Sequence, residues 1–436
     1  MSLRAGFAEV DITPPLGTQK IGFKRVIYSD HVIDPLFARV AVIEAAGTQI
    51  AFVQLDTLCI LWEDVREIRS RMARKFGIAP EAVMVCATHN HAGPAVADSG
   101  DARRDEAYVR TMIDRVVDAF EQALAALAPA EVGFGSGVEF RVAHNRRVVM
   151  RDGTVCTHGR FTDPNALFLE GPIDPEVAVA VFRRPGGALL GALVNYACHP
   201  THHGAGTGLS AGYPGVLARE MKAAGCPVTL FLNGASGNVH TADPTRGGAD
   251  MPMETAGRLL AETVQAVIDR VEYTSSLELA CAATQIDLPY RRVTEAEIKG
   301  EVKGAQRFVD SAIYDREMPE LVARIRAKGY ETVEVQVLWL GERAYVSMPG
   351  ELFVQLGLRI KEEAYPVRAV VVGYANGAVG YLPHAEAFRR GGYETTFCGA
   401  SRMAPEAGEM LVEAALRLIR ESAGARRVQG AGGRAG

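Results

Sequence analysis

Val83-Met-Val-Cys86-Ala-Thr-His89-Asn-His91-Ala-Gly-Pro94 is a short apolar run that ends in two histidines and a glycine–proline turn. Apolar residues bounded by turn signals read as a buried strand over 83–86. Upstream, residues 39–44 and 49–55 read as strands joined by a turn at Gly47. Between them and Val83, the spacing of Val65, Ile68, Met72 and Phe76 predicts a helix, with Gly77 placed to end it. Downstream, Val109, Met112, Ile113, Val116, Val117, Phe120 and Leu124 form one apolar stripe, which predicts a helix over 105–127. Strands over 188–197 and 228–232, and a helix carrying Leu259, Leu260, Val264, Val267 and Val271, continue the alternation. This pattern predicts an α/β fold, a mixed sheet flanked by helices.

From about Ser276 longer strands (277–288, 332–340 and 344–348) flank charged helical stretches between Glu295 and Lys328. We read 1–423 as one domain, divisible into lobes 1–272 and 273–423. The Gly/Ala/Arg-rich residues 424–436 read as a disordered tail.

Composition narrows the function. The 436 residues are 48% hydrophobic and 23% charged, with net charge −5, which argues against wholesale disorder and gives no basic face for nucleic acid. No stretch has the ~20 unbroken apolar residues of a membrane span, and the N-terminus lacks a signal-peptide core. Seven cysteines without a Cys-x-x-Cys pair suit reduced thiols, so a cytoplasmic protein is expected.

The chemistry-bearing residues follow strand ends. Asp56 follows 49–55, His89 and His91 follow 83–86, and His199 (with His202 and His203 nearby) follows 188–197. His240 lies beyond 228–232, and Glu351 follows 344–348. Open α/β sheets bind ligands outside the carboxyl ends of their strands, so parallel strands would gather these groups at one sheet edge. Imidazole and carboxylate are ligands that zinc favours. His-x-His alone is a weak signal, and its alternative is a set of loop histidines bonded to backbone. Asp56 reads two ways: a carboxylate orienting a ligand imidazole, or an N-cap for a helix near Leu61. Cys86 and Cys198 read as buried small hydrophobes.

The motifs together resemble the neutral (non-lysosomal) ceramidases and their shorter bacterial relatives. Ala87-Thr-His-Asn-His-Ala-Gly-Pro94, Asn195-Tyr-Ala-Cys-His-Pro-Thr201, Met348-Pro-Gly-Glu351 and Tyr374-Ala-Asn-Gly-Ala-Val-Gly-Tyr381 match its motifs in order. Tyr393-Glu394 and the opening Val10-Asp-Ile-Thr-Pro-Pro15 also match. The resemblance implies zinc ligands His89, His199, Glu351 and Tyr381, with His91 near the scissile carbonyl and Arg146 anchoring substrate. Asn238 joins Arg146 as a candidate substrate contact. Where the family carries Gly-Asp-Val-Ser-Pro, this chain reads Gly237-Asn-Val-His240-Thr, so the serine position is histidine. The chain also ends soon after the tyrosine motif, so the resemblance is expected to extend to the catalytic domain and not to the family's C-terminal β domain.

The expectation is a zinc-dependent hydrolase of an amide or related C–N bond in a small soluble substrate. Water is the nucleophile, and His91 or His240 moves protons. One zinc ion is expected; a second metal held by His240 with Asp56 or His91 is a sharper variant. Loops over 144–161 and 285–315 are expected to shape the pocket. The alternatives are a zinc esterase or lactonase and a non-catalytic metal-containing binding protein.

Overall fold

The computed structural model describes residues 3–432 and is a mixed α/β structure built on three larger sheets. The first contains Arg4–Asp11, Phe37–Ala45, Thr48–Leu55 and Val83–Ala87. The second contains Glu131–Val138, Glu176–Arg183, Leu189–Tyr196 and Thr229–Asn233. The third contains Leu279–Pro289, Tyr330–Leu340, Arg343–Ser347 and Arg368–Val372. Most pairings are antiparallel, but each sheet holds one parallel pair. These pairs are Thr48–Leu55 with Val83–Ala87, Leu189–Tyr196 with Thr229–Asn233, and Arg343–Ser347 with Arg368–Val372.

The single sheet edge expected from the sequence is therefore three edges. Parallel strands need a crossover, and the crossovers here carry helices. Trp62–Phe76 connects the first pair and buries Val65, Ile68 and Met72. Its left-handed C-cap at Gly77 (φ +75°) lies where the sequence puts it. Gly212–Ala223 and Val354–Glu363 connect the other two pairs. Val83–Ala87 is buried throughout, as a strand covered on both faces must be.

The largest apolar cluster combines residues of all three sheets, including Val53, Val85, Leu193, Leu232, Leu338 and Val370. The strand Tyr273–Thr274, just past residue 272, pairs back onto Glu131–Val138. The last helix, Ala407–Gly432, covers the third sheet, where Trp339 Nε1 donates to Ser422 Oγ at 3.0 Å. It runs through residues 424–432, which composition assigns to a tail. The stretch continues a helix already nucleated on a buried face. The remaining residues of that stretch, 433–436, lie outside the described ones. No helix among the described residues is long and apolar enough to cross a membrane.

Candidate metal centre

The three parallel pairs deliver His89, His199 and Glu351 to one point from three sheets. His89 Nε2 lies 3.1 Å from His199 Nε2 and 3.1 Å from His91 Nε2. Glu351 Oε2 lies 3.1 Å from His199 Nε2 and 3.3 Å from His89 Nε2. His89, His91 and His199 thus form a group able to hold an ion, and no other such group of histidine, cysteine and acidic side chains occurs among the described residues.

The outer nitrogens decide what the inner ones can be. His89 Nδ1 contacts the Leu58 carbonyl at 2.8 Å, His199 Nδ1 that of Ser236 at 2.7 Å, and His91 Nδ1 that of Gly22 at 3.1 Å. A carbonyl only accepts, so each Nδ1 carries the proton and donates it. Each ring then turns its Nε2 towards the others. Three ring nitrogens and a carboxylate oxygen facing one another at such distances could hold a cation between them. Tetrahedral zinc, with bonds of about 2.0–2.1 Å, sets its ligand atoms about 3.3 Å apart, so the donor set fits.

The field agrees. Burial, the charge on Arg146 and neighbouring His89 push His199 down to about 3, although Glu351 opposes them. Burial, then His89 and His199, hold His91 well below the usual histidine range. Burial alone would raise the Glu351 carboxyl, but His89 and His199 hold it well below the usual carboxylate range. The backbone is strained at the same place: His89 (φ +67°) and Tyr374 (φ +54°) are non-glycine residues in the left-handed region. Such conformations cost about 1–3 kcal/mol each and survive only where the surroundings impose them.

Tyrosines and arginines form the next layer. The Tyr374 ring stacks on His89 with centroids 4.0 Å apart, and its hydroxyl shares a hydrogen bond with Ser236 Oγ at 2.8 Å. The Tyr381 ring lies nearly parallel to His199, with centroids 6.5 Å apart. Its hydroxyl accepts from Arg146 Nη2 at 3.1 Å. Arg146 also donates through Nε to Glu394 at 2.8 Å and through Nη2 to the Gly237 carbonyl at 2.8 Å, and none of these bonds uses Nη1. Glu394 is fully buried and also accepts from Arg147 and Thr157, each at 2.7 Å. Gly237 must be glycine for room, since a Cβ there would lie 2.3 Å from the Glu351 carbonyl oxygen.

Three sequence candidates, Asp56, Asn238 and His240, stand outside the ligand group. The Asp56 carboxylate reaches no imidazole and caps no helix. It pairs with Arg39 at 2.9 Å and accepts from Gln54 and the Phe37 amide, while the helix at Trp62 has no side-chain cap. Asn238 is held in place: its Oδ1 accepts from the Val354 amide and its Nδ2 donates to Gln355, which leaves the second N–H of the amide without a side-chain partner. His240 stands outside the ligand group. Its Nε2 contacts Thr201 Oγ1 at 2.6 Å, and its Nδ1 is 3.1 Å from Asp250 and accepts from the Ala242 amide. With Asp56 and His240 both engaged elsewhere, the arrangement drawn for a second metal does not form. Tyr374, Thr201, Asp250 and the carbonyls of Leu58 and Ser236 are the site's unforeseen members. Of these, Tyr374 and Thr201 stood in quoted motifs.

A cavity of about 480 Å³ opens beside the centre, with His89, Glu351 and Tyr374 in its wall. It is closed by segments 97–106, 316–324, 377–380 and 399–402 rather than by the loops expected from the sequence. From those loops, His158 packs edge-on against His240 at 4.7 Å, and Phe308 lies 5.9 Å from His158.

Fold and site together define a mixed α/β protein with a candidate metal centre of histidines and a carboxylate at the junction of three sheets. The chain is related in sequence to neutral ceramidase of Pseudomonas aeruginosa, 29% identical over 175 residues that take in 38% of this chain and 25% of that protein. The matched segment thus spans about a quarter of the relative's length. The fold matches the crystal structure of that neutral ceramidase with a TM-score of 0.76 and 21% identity, over 96% of this chain and 74% of the other. A ceramidase complexed with C2 matches equally well, with a TM-score of 0.76, 20% identity and coverage of 96% and 75%. No family model matches the chain.

Proposed function

We propose that this protein is a zinc-dependent hydrolase that cleaves an amide or related C–N bond of a small substrate, with water as nucleophile. The observation that carries the reading is the convergence of three imidazole Nε2 atoms and one carboxylate oxygen, linked by contacts of 3.1–3.3 Å. The relationship to neutral ceramidase supports the amide bond. His89, His199 and Glu351 would hold the ion. Tyr381 is the fourth ligand that the resemblance implies, and His91 is the third imidazole that the geometry offers. Zinc supplies Lewis acidity to a carbonyl oxygen and to the attacking water.

The chain's own groups do the remainder. Backbone carbonyls fix the ring tautomers, as outer partners of metal-binding histidines do. His91, kept neutral by burial, can accept a proton at Nε2. Arg146, held by Glu394, fixes the Tyr381 hydroxyl and keeps Nη1 for a substrate oxygen. His240, between Thr201 and Asp250, is the second proton-moving candidate. The seven free thiols support a reducing compartment such as the cytoplasm.

Metal counting by mass spectrometry on protein purified without chelator, paired with turnover of matched amide and ester substrates, tests the reading. About one zinc per chain, lost in His199→Ala, and faster amide turnover are expected. Metal-free protein that takes up no zinc would overturn it, and ester-only turnover would move the protein to the esterases.

A further inference from the structure

Beyond the metal-facing side, the cavity wall carries five arginines, Arg103, Arg104, Arg316, Arg324 and Arg402. Two are neutralised, Arg104 by Asp64 at 2.7 Å and Arg316 by Asp101 at 2.6 Å. Arg402 is the unusual one. It is only 9% exposed, and its Nη1 and Nη2 donate to the carbonyls of Gly399 (2.7 Å) and Ala378 (3.3 Å). Its contact with a carboxylate is Glu331 at 3.8 Å, beyond hydrogen-bond length, and its Nε is buried with no partner among the described residues. A guanidinium stays charged, and burying it without a counter-charge is unfavourable. Ala378 lies in the loop between Tyr374 and Tyr381, which ties Arg402 to the centre.

We propose that this cavity is the substrate site and that Arg402 receives a carboxylate there. On the amide-hydrolase reading above, on which this rests, the substrate class is then an N-acylated amino acid or a similar amide bearing a carboxylate. An arginine fork matches a carboxylate in two bonds. A phosphate dianion fits less well, because Glu63, Asp98, Glu106, Glu317, Glu320 and Glu351 share the wall, and a single carboxylate charge meets less of their repulsion. Long hydrocarbon chains find little cover, since the larger apolar side chains of the wall are Ile21, Leu58, Leu61 and Leu321. In the reaction a water oxygen bonds to the acyl carbon and the C–N bond breaks with its electron pair on nitrogen. Both water protons end on the amine, giving a carboxylate and an ammonium amino acid.

The test titrates the zinc-loaded full chain with N-acetyl-L-alanine and with N-acetyl-L-alaninamide by calorimetry. The acid should bind about 10–100-fold more tightly than the amide, a ratio that falls to near one in Arg402→Gln and is partly kept in Arg402→Lys. A ratio near one in the wild type, an unchanged ratio in Arg402→Gln, or tighter binding of inorganic phosphate would overturn the proposal. If Arg402→Gln does not fold, the wild-type and Arg402→Lys ratios decide. Turnover separates the two readings. Equal kcat/KM on acid and carboxamide overturns the carboxylate site and leaves the hydrolase standing. Acid-selective binding without turnover of any amide supports the anion site and removes the hydrolase.

Discussion

Replacing Glu394 by Gln removes one negative charge from beneath the candidate site and leaves the shape almost unchanged. Arg146 and Arg147 would share one neutral acceptor oxygen in place of two charged ones, beside the Gly237 carbonyl and Tyr381 hydroxyl for Arg146 and Glu170 and the Gly391 carbonyl for Arg147. Breaking a buried ion pair from one side costs about 3–5 kcal/mol, because the surviving charge stays buried. The pH dependence gives an independent figure. Burial alone would raise the Glu394 carboxyl, but Arg146 and Arg147 bring it from 4.5 down to about 2. A depression of that size is worth about 3 kcal/mol at neutral pH. The unfolded chain binds the proton first, so this stabilisation is complete above about pH 4.5 and is lost as pH falls towards 2. Urea denaturation at pH 7, and in half-unit steps downward from pH 5, measures both effects. The gap between wild type and Glu394→Gln should be about 3 kcal/mol at pH 7 and should shrink by about 1.4 kcal/mol per pH unit below 4.5. A gap that stays constant through the acid range would refute the assignment of Glu394 as the counter-charge.

Two further outcomes follow from single contacts. Gly237→Ala places a Cβ against the Glu351 carbonyl and must shift that residue, so zinc affinity should fall about 10–100-fold in competition with a chromophoric chelator, with the circular dichroism spectrum unchanged. Lys20 is buried and its Nζ donates to the carbonyls of His203, Gly206 and Gly208 at 3.0, 2.6 and 2.6 Å, so Lys20→Met should cost about 2–4 kcal/mol in urea melts and expose the 203–208 loop to protease; a loss below about 1 kcal/mol would show that the clamp contributes little.

Local pattern reached the elements and the identity of the cluster. The stripe on Trp62–Phe76, its glycine stop and the histidines after Val83–Ala87 are all encoded within one or two turns of sequence. What the sequence could not show is who pairs with whom. Asp56 looked free to serve His89 because its partner Arg39 lies across a hairpin, on the neighbouring strand. Asn238 satisfies a helix amide that begins more than a hundred residues later, a pairing that local pattern does not show. The carbonyls of Leu58, Ser236 and Gly22 fix three ring tautomers, yet a carbonyl carries no residue-type signal. Arg402 was invisible for a related reason: its significance is a missing partner, and that requires the full surroundings.

The junction of three sheets makes the centre a fastener as much as a site. His89 and His199 are 110 residues apart in the chain, and His199 and Glu351 are 152 apart. An ion shared by them closes two very long loops, and the cost of closing a loop rises only slowly with its length. With an ion bound, partial unfolding of any one sheet would pull a ligand away and release it, which in turn would loosen the other two. Loss of metal on mild heating, followed with a zinc dye, would therefore coincide with global melting and not precede it. A chain nicked in an exposed loop should stay in one piece while loaded and separate into fragments when stripped.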